Sequence, residues 1–201
     1  MRVIGLTGGI ACGKSNVSET LRDLGAVIID GDVLSRELTA PGGEALPAIR
    51  ARFGDGVFHE DGTLNRRRLG AVIFGNDEAR LALDHIMQPL LWALIRRRME
   101  EARAAGSAIC VLDMPLLYEA GLDALCDTVW CVYIPEETQI ERLMARDGFT
   151  REEALSRLRS QMPAKEKAEK AQVVIDTSGS ISYTKAMLPE LYARELRLAR
   201  P

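Results

Sequence analysis

The sequence is poor in metal-binding side chains. It holds two histidines, His59 and His85, and four cysteines, Cys12, Cys110, Cys126 and Cys131, with no C-x-x-C pair. Neither histidine completes a zinc spacing with them, so a zinc framework is excluded. The cysteines read as buried free thiols in a reducing cytosol. Cys12, inside a glycine loop, reads as a filler side chain. No apolar run approaches the ~20 residues needed to span a bilayer. The start "MRVIGLTGG" lacks the apolar stretch of a signal peptide. Positive charge is not in excess: 26 Lys and Arg stand against 29 Asp and Glu, for a net charge of −3. That excludes a general nucleic-acid or membrane surface and leaves room only for local basic patches. Internal repeats, low-complexity tracts and disordered linkers are absent. The expectation is a soluble cytoplasmic protein, a monomer or weak homo-oligomer, binding neither nucleic acid nor membrane.

What is present is an ordinary globular composition, 47% hydrophobic and 27% charged over 201 residues. That length is enough for one domain with insertions. Five runs are nearly continuously apolar and rich in Val and Ile: 2–7, 26–30, 108–113, 128–134 and 172–176. Continuous apolarity is what a parallel sheet covered on both faces requires. Helical patterns lie between the runs, as in βαβ units. The first helix should run from Gly13 to Leu24 with Gly25 as its cap. Helices are also expected over 42–53, 65–74 and 76–106, the last capped by Asn76 and kinked or divided by Pro89. Beyond the fourth strand, 135–146 reads as helical. A new helix restarts at 147–161, with Thr150 and Glu153 spaced as a capping box, and Pro163 ends it. The expected architecture is α/β: one P-loop domain built on a five-stranded parallel sheet flanked by helices. Its core would comprise 1–32, 107–135 and 169–201, with a helical acceptor-binding insertion at 33–106 and a lid at 136–168.

The stretch "GGIACGKS" (8–15) fits the phosphate-binding pattern G-x-x-x-x-G-K-[ST], with a strand before it and an amphipathic helix after it. Backbone N–H groups must point at phosphate oxygens, and glycines permit the close approach. The helix N-terminus adds roughly +0.5 of an elementary charge. Lys14 should reach the β and γ phosphates, and Ser15 should ligate Mg²⁺. A nucleoside triphosphate therefore binds. No guanine-reading N-K-x-D motif occurs, which argues against a switch GTPase.

Other side chains suggest where the phosphate goes. Asp30 and Asp32 fall at the carboxyl end of the second strand, the edge where open α/β sheets bind ligands. One carboxylate can accept a proton from an attacking hydroxyl, and another can orient Mg²⁺. Capping of the following helix is the bland alternative for both. Asp113, at the end of the third strand, occupies a position where a carboxylate holds the Mg²⁺ shell, directly or through water. Whether Asp30 or Asp113 lies closer to the metal stays open. Pro115, Leu116 and Leu117 suit an apolar wall, and Glu119 a polar contact. The segment with Arg142, Arg146, Arg151, Arg157, Arg159, Lys165, Lys167 and Lys170 suggests a mobile lid that stabilises transition-state charge and excludes water. Arg142 and Arg146, four apart on one helix, are its best candidates. Arg66, Arg67 and Arg68 suit an anionic acceptor. These features describe a small-molecule kinase acting on an unspecified acceptor, or a catalytically silent nucleotide binder.

The longer motifs narrow this. "IGLTGGIACGKS", "GAVIIDGDVLSREL", "GDGVFHEDGTLNRRRLGAVIF", "PLLYEAGLD", "ERLMARDGFTREEALSRLRSQMP" and "VVIDTSGS" cover nearly the whole chain. Together they resemble the dephospho-coenzyme A kinases. The resemblance implies transfer of the ATP γ-phosphate to the ribose 3′-hydroxyl of dephospho-CoA, giving coenzyme A and ADP, with Mg²⁺ as cofactor. It implies ATP binding by Gly9, Ala11, Cys12, Gly13, Lys14, Ser15, Asn16, Arg142 and Arg146. It implies an acceptor site lined by Thr7, Asp32, Arg66, Pro115, Leu116, Leu117 and Glu119. Asp32 would be the base for the 3′-hydroxyl, acting with Lys14 and Arg142, and "DTSGS" would lie near the adenine. The chain departs from the family pattern at Ala11 and Cys12, where Gly and Ser are frequent, and at Asn16, where Thr is common. It also departs at Gln88, Gln172 and Thr177. None of these is Lys14, Ser15 or Asp32, so activity is expected.

Overall fold

The computed structural model describes residues 1–199. Five strands, β1 (Arg2–Gly8), β2 (Val27–Asp30), β3 (Ile109–Asp113), β4 (Thr128–Tyr133) and β5 (Val173–Asp176), form one sheet in the order β2-β3-β1-β4-β5. Every pairing is parallel. These are the five apolar runs, the first extended by one residue to Gly8 and each of the others shortened by one. Their register brings Asp30 directly opposite Asp113 and Leu6 opposite both Asp113 and Trp130, so the carboxyl ends form one edge.

The helices are α1 (Lys14–Asp23), α2 (Gly31–Leu38), α3 (Leu46–Phe53), α4 (Arg66–Ile73), α5 (Asp77–Ala104), α6 (Glu136–Asp147), α7 (Arg151–Arg159), α8 (Ala164–Lys170) and α9 (Ile181–Ala199). Helix α1 ends as expected: Gly25 N–H donates to Arg22 O at 2.9 Å and Ala26 N–H to Leu21 O at 3.0 Å, the paired bonds of a Schellman cap. The capping box of α7 is fully formed between Thr150 and Glu153. Asn76 accepts from Ala79 N–H at 3.0 Å, so it caps α5.

Proline-based breaks were over-read. Pro89 was expected to kink or divide its helix, yet α5 runs unbroken for 28 residues with Pro89 inside. The missing N–H leaves only the His85 carbonyl without its helical partner, and both residues are exposed, so water can satisfy it. The helix expected to run to 161 and end at Pro163 spans Arg151–Arg159 and stops ahead of the proline, which instead serves as N-cap of α8. Helix α2 follows Asp30 directly, and helices α8 and α9 were not anticipated.

The chain divides into two compact units. One comprises Met1–Asp30 and the chain from Met99 onward; the other is Gly31–Arg98. In the first, α1 and α9 cover one sheet face. Val17, Leu21, Leu188 and Tyr192 pack there against Ile4, Leu6, Val111, Trp130, Val132 and Ile175. Glu195, buried on α9, forms an ion pair with Arg2 at the start of β1. A smaller cluster joins Ile140, Leu143 and Ala154 of α6 and α7 to Ile10 and Ala11. The second unit buries Leu34, Leu38, Ile49, Val57, Phe58 and Leu69. Within it Arg68 donates to Phe58 O at 3.4 Å, and Arg98 clamps Glu37 at 2.9 and 3.0 Å. Among the described residues no helix is long and apolar enough to cross a membrane.

Replacing Pro89 with Ala restores the N–H that the His85 carbonyl lacks. The Pro89→Ala variant should be more stable to denaturant by about 1–3 kcal/mol. A midpoint at or below that of the unmodified chain would show that the helix is already adapted to the proline.

Candidate active site

The loop after β1 is held in an unusual conformation. Ala11 is the one non-glycine residue with positive φ among the described residues, at 60°, and Gly13 follows at 82°. Gly13 caps α1 without any side-chain bond, and the first turn of α1 carries no acidic residue. No acidic side chain or side-chain cap competes for the N-terminal end of that helix, where the dipole favours an anion. Cys12 is buried and its Sγ would lie 2.7 Å from a Cβ on Gly8. It thus fills the space beneath the loop, as a filler should. Burial pushes its thiol up, away from reactivity. All four cysteines are free.

Lys14 Nζ forms an ion pair with Asp113 Oδ1. Asp113 is 3% exposed, and burial pushes its carboxyl up against the opposing pull of the Lys14 charge. Ser18 adds a hydrogen bond, and the neighbouring Asp30 pushes the carboxyl further up. Two carboxylates, one ammonium and the exposed Ser15 hydroxyl thus meet at the loop and the β2–β3 edge. The carboxylates and the hydroxyl are hard oxygen donors of the kind Mg²⁺ takes alongside phosphates and water. Among the described residues no group of three or more His, Cys, Asp or Glu could hold a metal unaided.

Two cavities flank the loop. One of about 150 Å³ is lined by Gly13, Asn16, Arg142, Thr177, Gly179 and Thr184, among others. Arg142 donates to Thr177 O at 2.9 Å and to Ala11 O at 3.5 Å. Thr177 donates to Cys12 O at 2.6 Å, so its hydroxyl braces the back of the loop. The other cavity, about 430 Å³, opens between Gly9 and Ile10 on one side and Gln139, Leu155, Leu158, Met162 and Ala164 on the other.

The expected site residues separate into two groups. Gly9, Ala11, Cys12, Gly13, Lys14, Ser15 and Asn16 form the loop and the start of α1, and Arg142 lies on them. Arg146 does not join them: it is exposed and forms a two-bond pair with Asp147 at 2.8 and 2.9 Å. One helical turn separates these arginines on α6, but the Arg146 side chain is 61% exposed and held by the neighbouring Asp147. Leu117 is fully buried, so it packs the core rather than a wall, while Leu116 is exposed. Thr7 is fully buried and donates to Pro115 O at 3.1 Å. Glu119 already accepts from Met162 N–H at 2.9 Å and from Lys167 Nζ at 2.8 Å. In the second unit, Asp32 lies exposed in the first turn of α2. Arg66 is fastened to Thr39 Oγ1 at 2.6 Å.

Residues 2–183 match the family profile described as dephospho-CoA kinase. The chain belongs to the dephospho-CoA kinase family. A dephospho-CoA kinase of Carboxydothermus hydrogenoformans is 48% identical over 186 residues, which is 92% of this chain and 90% of that one. A solved structure from Thermus thermophilus superposes with a TM-score of 0.80 at 33% identity, covering 96% of this chain and 97% of that one. A Campylobacter jejuni dephospho-CoA kinase superposes at 0.67 with 26% identity and the same coverage. This dephospho-CoA kinase family member carries its departures without opening the loop. Thr177 holds a P-loop carbonyl, and Gln172 Oε1 accepts from Val129 N–H at 2.7 Å between β4 and β5.

A Cβ on Gly9 would meet Gln139 Oε1 at 2.5 Å and Ala164 Cβ at 2.8 Å, so the loop, α6 and α8 touch there. Gly9→Ala should destabilise the protein by about 1–3 kcal/mol through overpacking, read as a lowered denaturation midpoint. An unchanged midpoint would mean that α6 and α8 are not seated on the loop.

Proposed function

We infer that this chain transfers the γ-phosphate of ATP to the ribose 3′-hydroxyl of dephospho-CoA, producing coenzyme A and ADP. The observation that carries the reading is the family match across almost the whole chain, joined to a P-loop whose lysine meets a buried carboxylate at the sheet edge. The loop N–H groups and Lys14 bind the β and γ phosphates. On nucleotide binding, Lys14 exchanges Asp113 for phosphate oxygens, which offer more charge in the same place. Ser15, with Asp113 or Asp30, holds Mg²⁺, which when bound neutralises and orients the phosphates. Arg142 lies over the loop where charge develops on the transferred group. The cavity between Asn16, Arg142 and Thr177 takes the adenine.

Asp32, two residues beyond Asp30, accepts the proton of the 3′-hydroxyl. We assign Arg66 to an anionic part of the acceptor, and Pro115 and Leu116 to an apolar part. The unit Gly31–Arg98 thus serves the acceptor, and α6–α8 serve as lid. Arg146 joins the phosphates only if the lid closes. Four free thiols, mostly buried, support a reducing cytoplasmic setting. We assign the chain as a monomer or weak homo-oligomer.

ADP release should depend on dephospho-CoA and not on AMP or shikimate. Equal stimulation by either of those would overturn the acceptor assignment. Asp32→Asn should lower kcat by about 10²–10⁴, the range for losing a general base, with ATP affinity kept. An unchanged kcat would remove Asp32 from the mechanism.

A further inference from the structure

Lys167 is a cation with no exposure at all. An ammonium taken fully out of water is costly unless its donors are matched. Here they are matched by the loop that follows β3. Lys167 Nζ donates to Pro115 O at 2.6 Å and to Glu119 Oε1 at 2.8 Å. Both acceptors are shared. Pro115 O also accepts from Thr7 Oγ1 at 3.1 Å, and Glu119 Oε1 from Met162 N–H at 2.9 Å. Lys170, on the same helix, sits 5.9 Å from the ring centre of Tyr118. Helix α8 and the turn before it therefore grip residues 115–119 at both ends and in the middle.

The grip is placed where it matters for chemistry. Pro115 lies two residues after Asp113, and Thr7 lies next to the first P-loop glycine. The same buried face of α8, one turn earlier at Ala164, lies against Gly9. A shift of the 115–119 loop would displace an acceptor lying on it relative to the phosphate loop, which keeps its own bonds.

We propose that Lys167 is a positioning residue for phosphoryl transfer: its buried ammonium holds the 115–119 loop, and the acceptor lying on it, in register with the phosphate loop. It touches no substrate, because it is sealed from the surface. The inference rests on the kinase reading above, which places the acceptor on that loop.

The test is steady-state kinetics with both substrates varied, together with ATP titration and thermal melting, on the unmodified chain, Lys167→Met and Glu119→Gln. Lys167→Met should raise the KM for dephospho-CoA about tenfold or more and lower kcat about tenfold to a hundredfold, the scale of small misplacements. ATP affinity should stay within about twofold, because the phosphate loop keeps its own bonds. Glu119→Gln keeps a carbonyl for Met162 N–H and removes only the charge partner. It should shift the acceptor KM in the same direction by a few-fold, and it decides the matter if Lys167→Met does not fold. A lowered melting temperature with acceptor KM and kcat unchanged would overturn the inference. So would equal losses toward ATP and acceptor. An unmodified chain without dephospho-CoA turnover would overturn the kinase reading and this inference with it, whereas an active chain with unshifted variants would overturn this inference alone.

Discussion

The pairing of Lys14 with Asp113 is the interaction on which the rest of the site depends. It joins the first residue of α1 to the last residue of β3. Neither charge is well solvated, so each needs the other, and burial already biases Asp113 toward its neutral form. That is a suitable resting state for a phosphate site. On the proposed reading the ammonium is held in place until a triphosphate displaces the carboxylate. The parallel sheet makes this possible, because its register sets Asp30 and Asp113 side by side at one edge.

Around this pair the protein commits buried polar groups rather than apolar ones. Thr177 braces the Cys12 carbonyl, Arg142 binds the Thr177 and Ala11 carbonyls, and Lys167 binds the Pro115 carbonyl. Each of these bonds fixes backbone next to the phosphate loop. The loop keeps Ala11 in a left-handed conformation that costs an L-residue roughly 1–2 kcal/mol. Such strain persists only where the surroundings over-determine it. The contacts of Ile10 and Ala11 with α6 and α7 supply part of that constraint.

Much of this was legible before the structure. Strand positions followed from unbroken Val and Ile runs, the loop from its glycines and lysine, and the α7 cap from Thr150 and Glu153. The failures have physical causes. Pro89 breaks a hydrogen bond only on an exposed face, so a long helix tolerates it. Leu117 reads as a ligand wall or as core with equal ease, and only packing decides. Lys167 sits among Lys165, Glu166 and Lys170, a run that reads as solvated surface, because lysines are rarely buried. The sole hint was its three-residue spacing from Ala164, the other buried position of α8. Local pattern offered Asp30 and Asp32 alike, and Arg66 to Arg68 alike; the choice of Asp32 as base and of Arg66 within its cluster rests on the family motifs.

The most direct test of the account is to incubate the purified protein with ATP, Mg²⁺ and dephospho-CoA and to locate the transferred phosphate by mass spectrometry and phosphorus NMR. The account predicts one added phosphate on the ribose 3′-oxygen, with one ADP formed per acceptor consumed. ATP binding without transfer, or phosphate on any other oxygen, would contradict it.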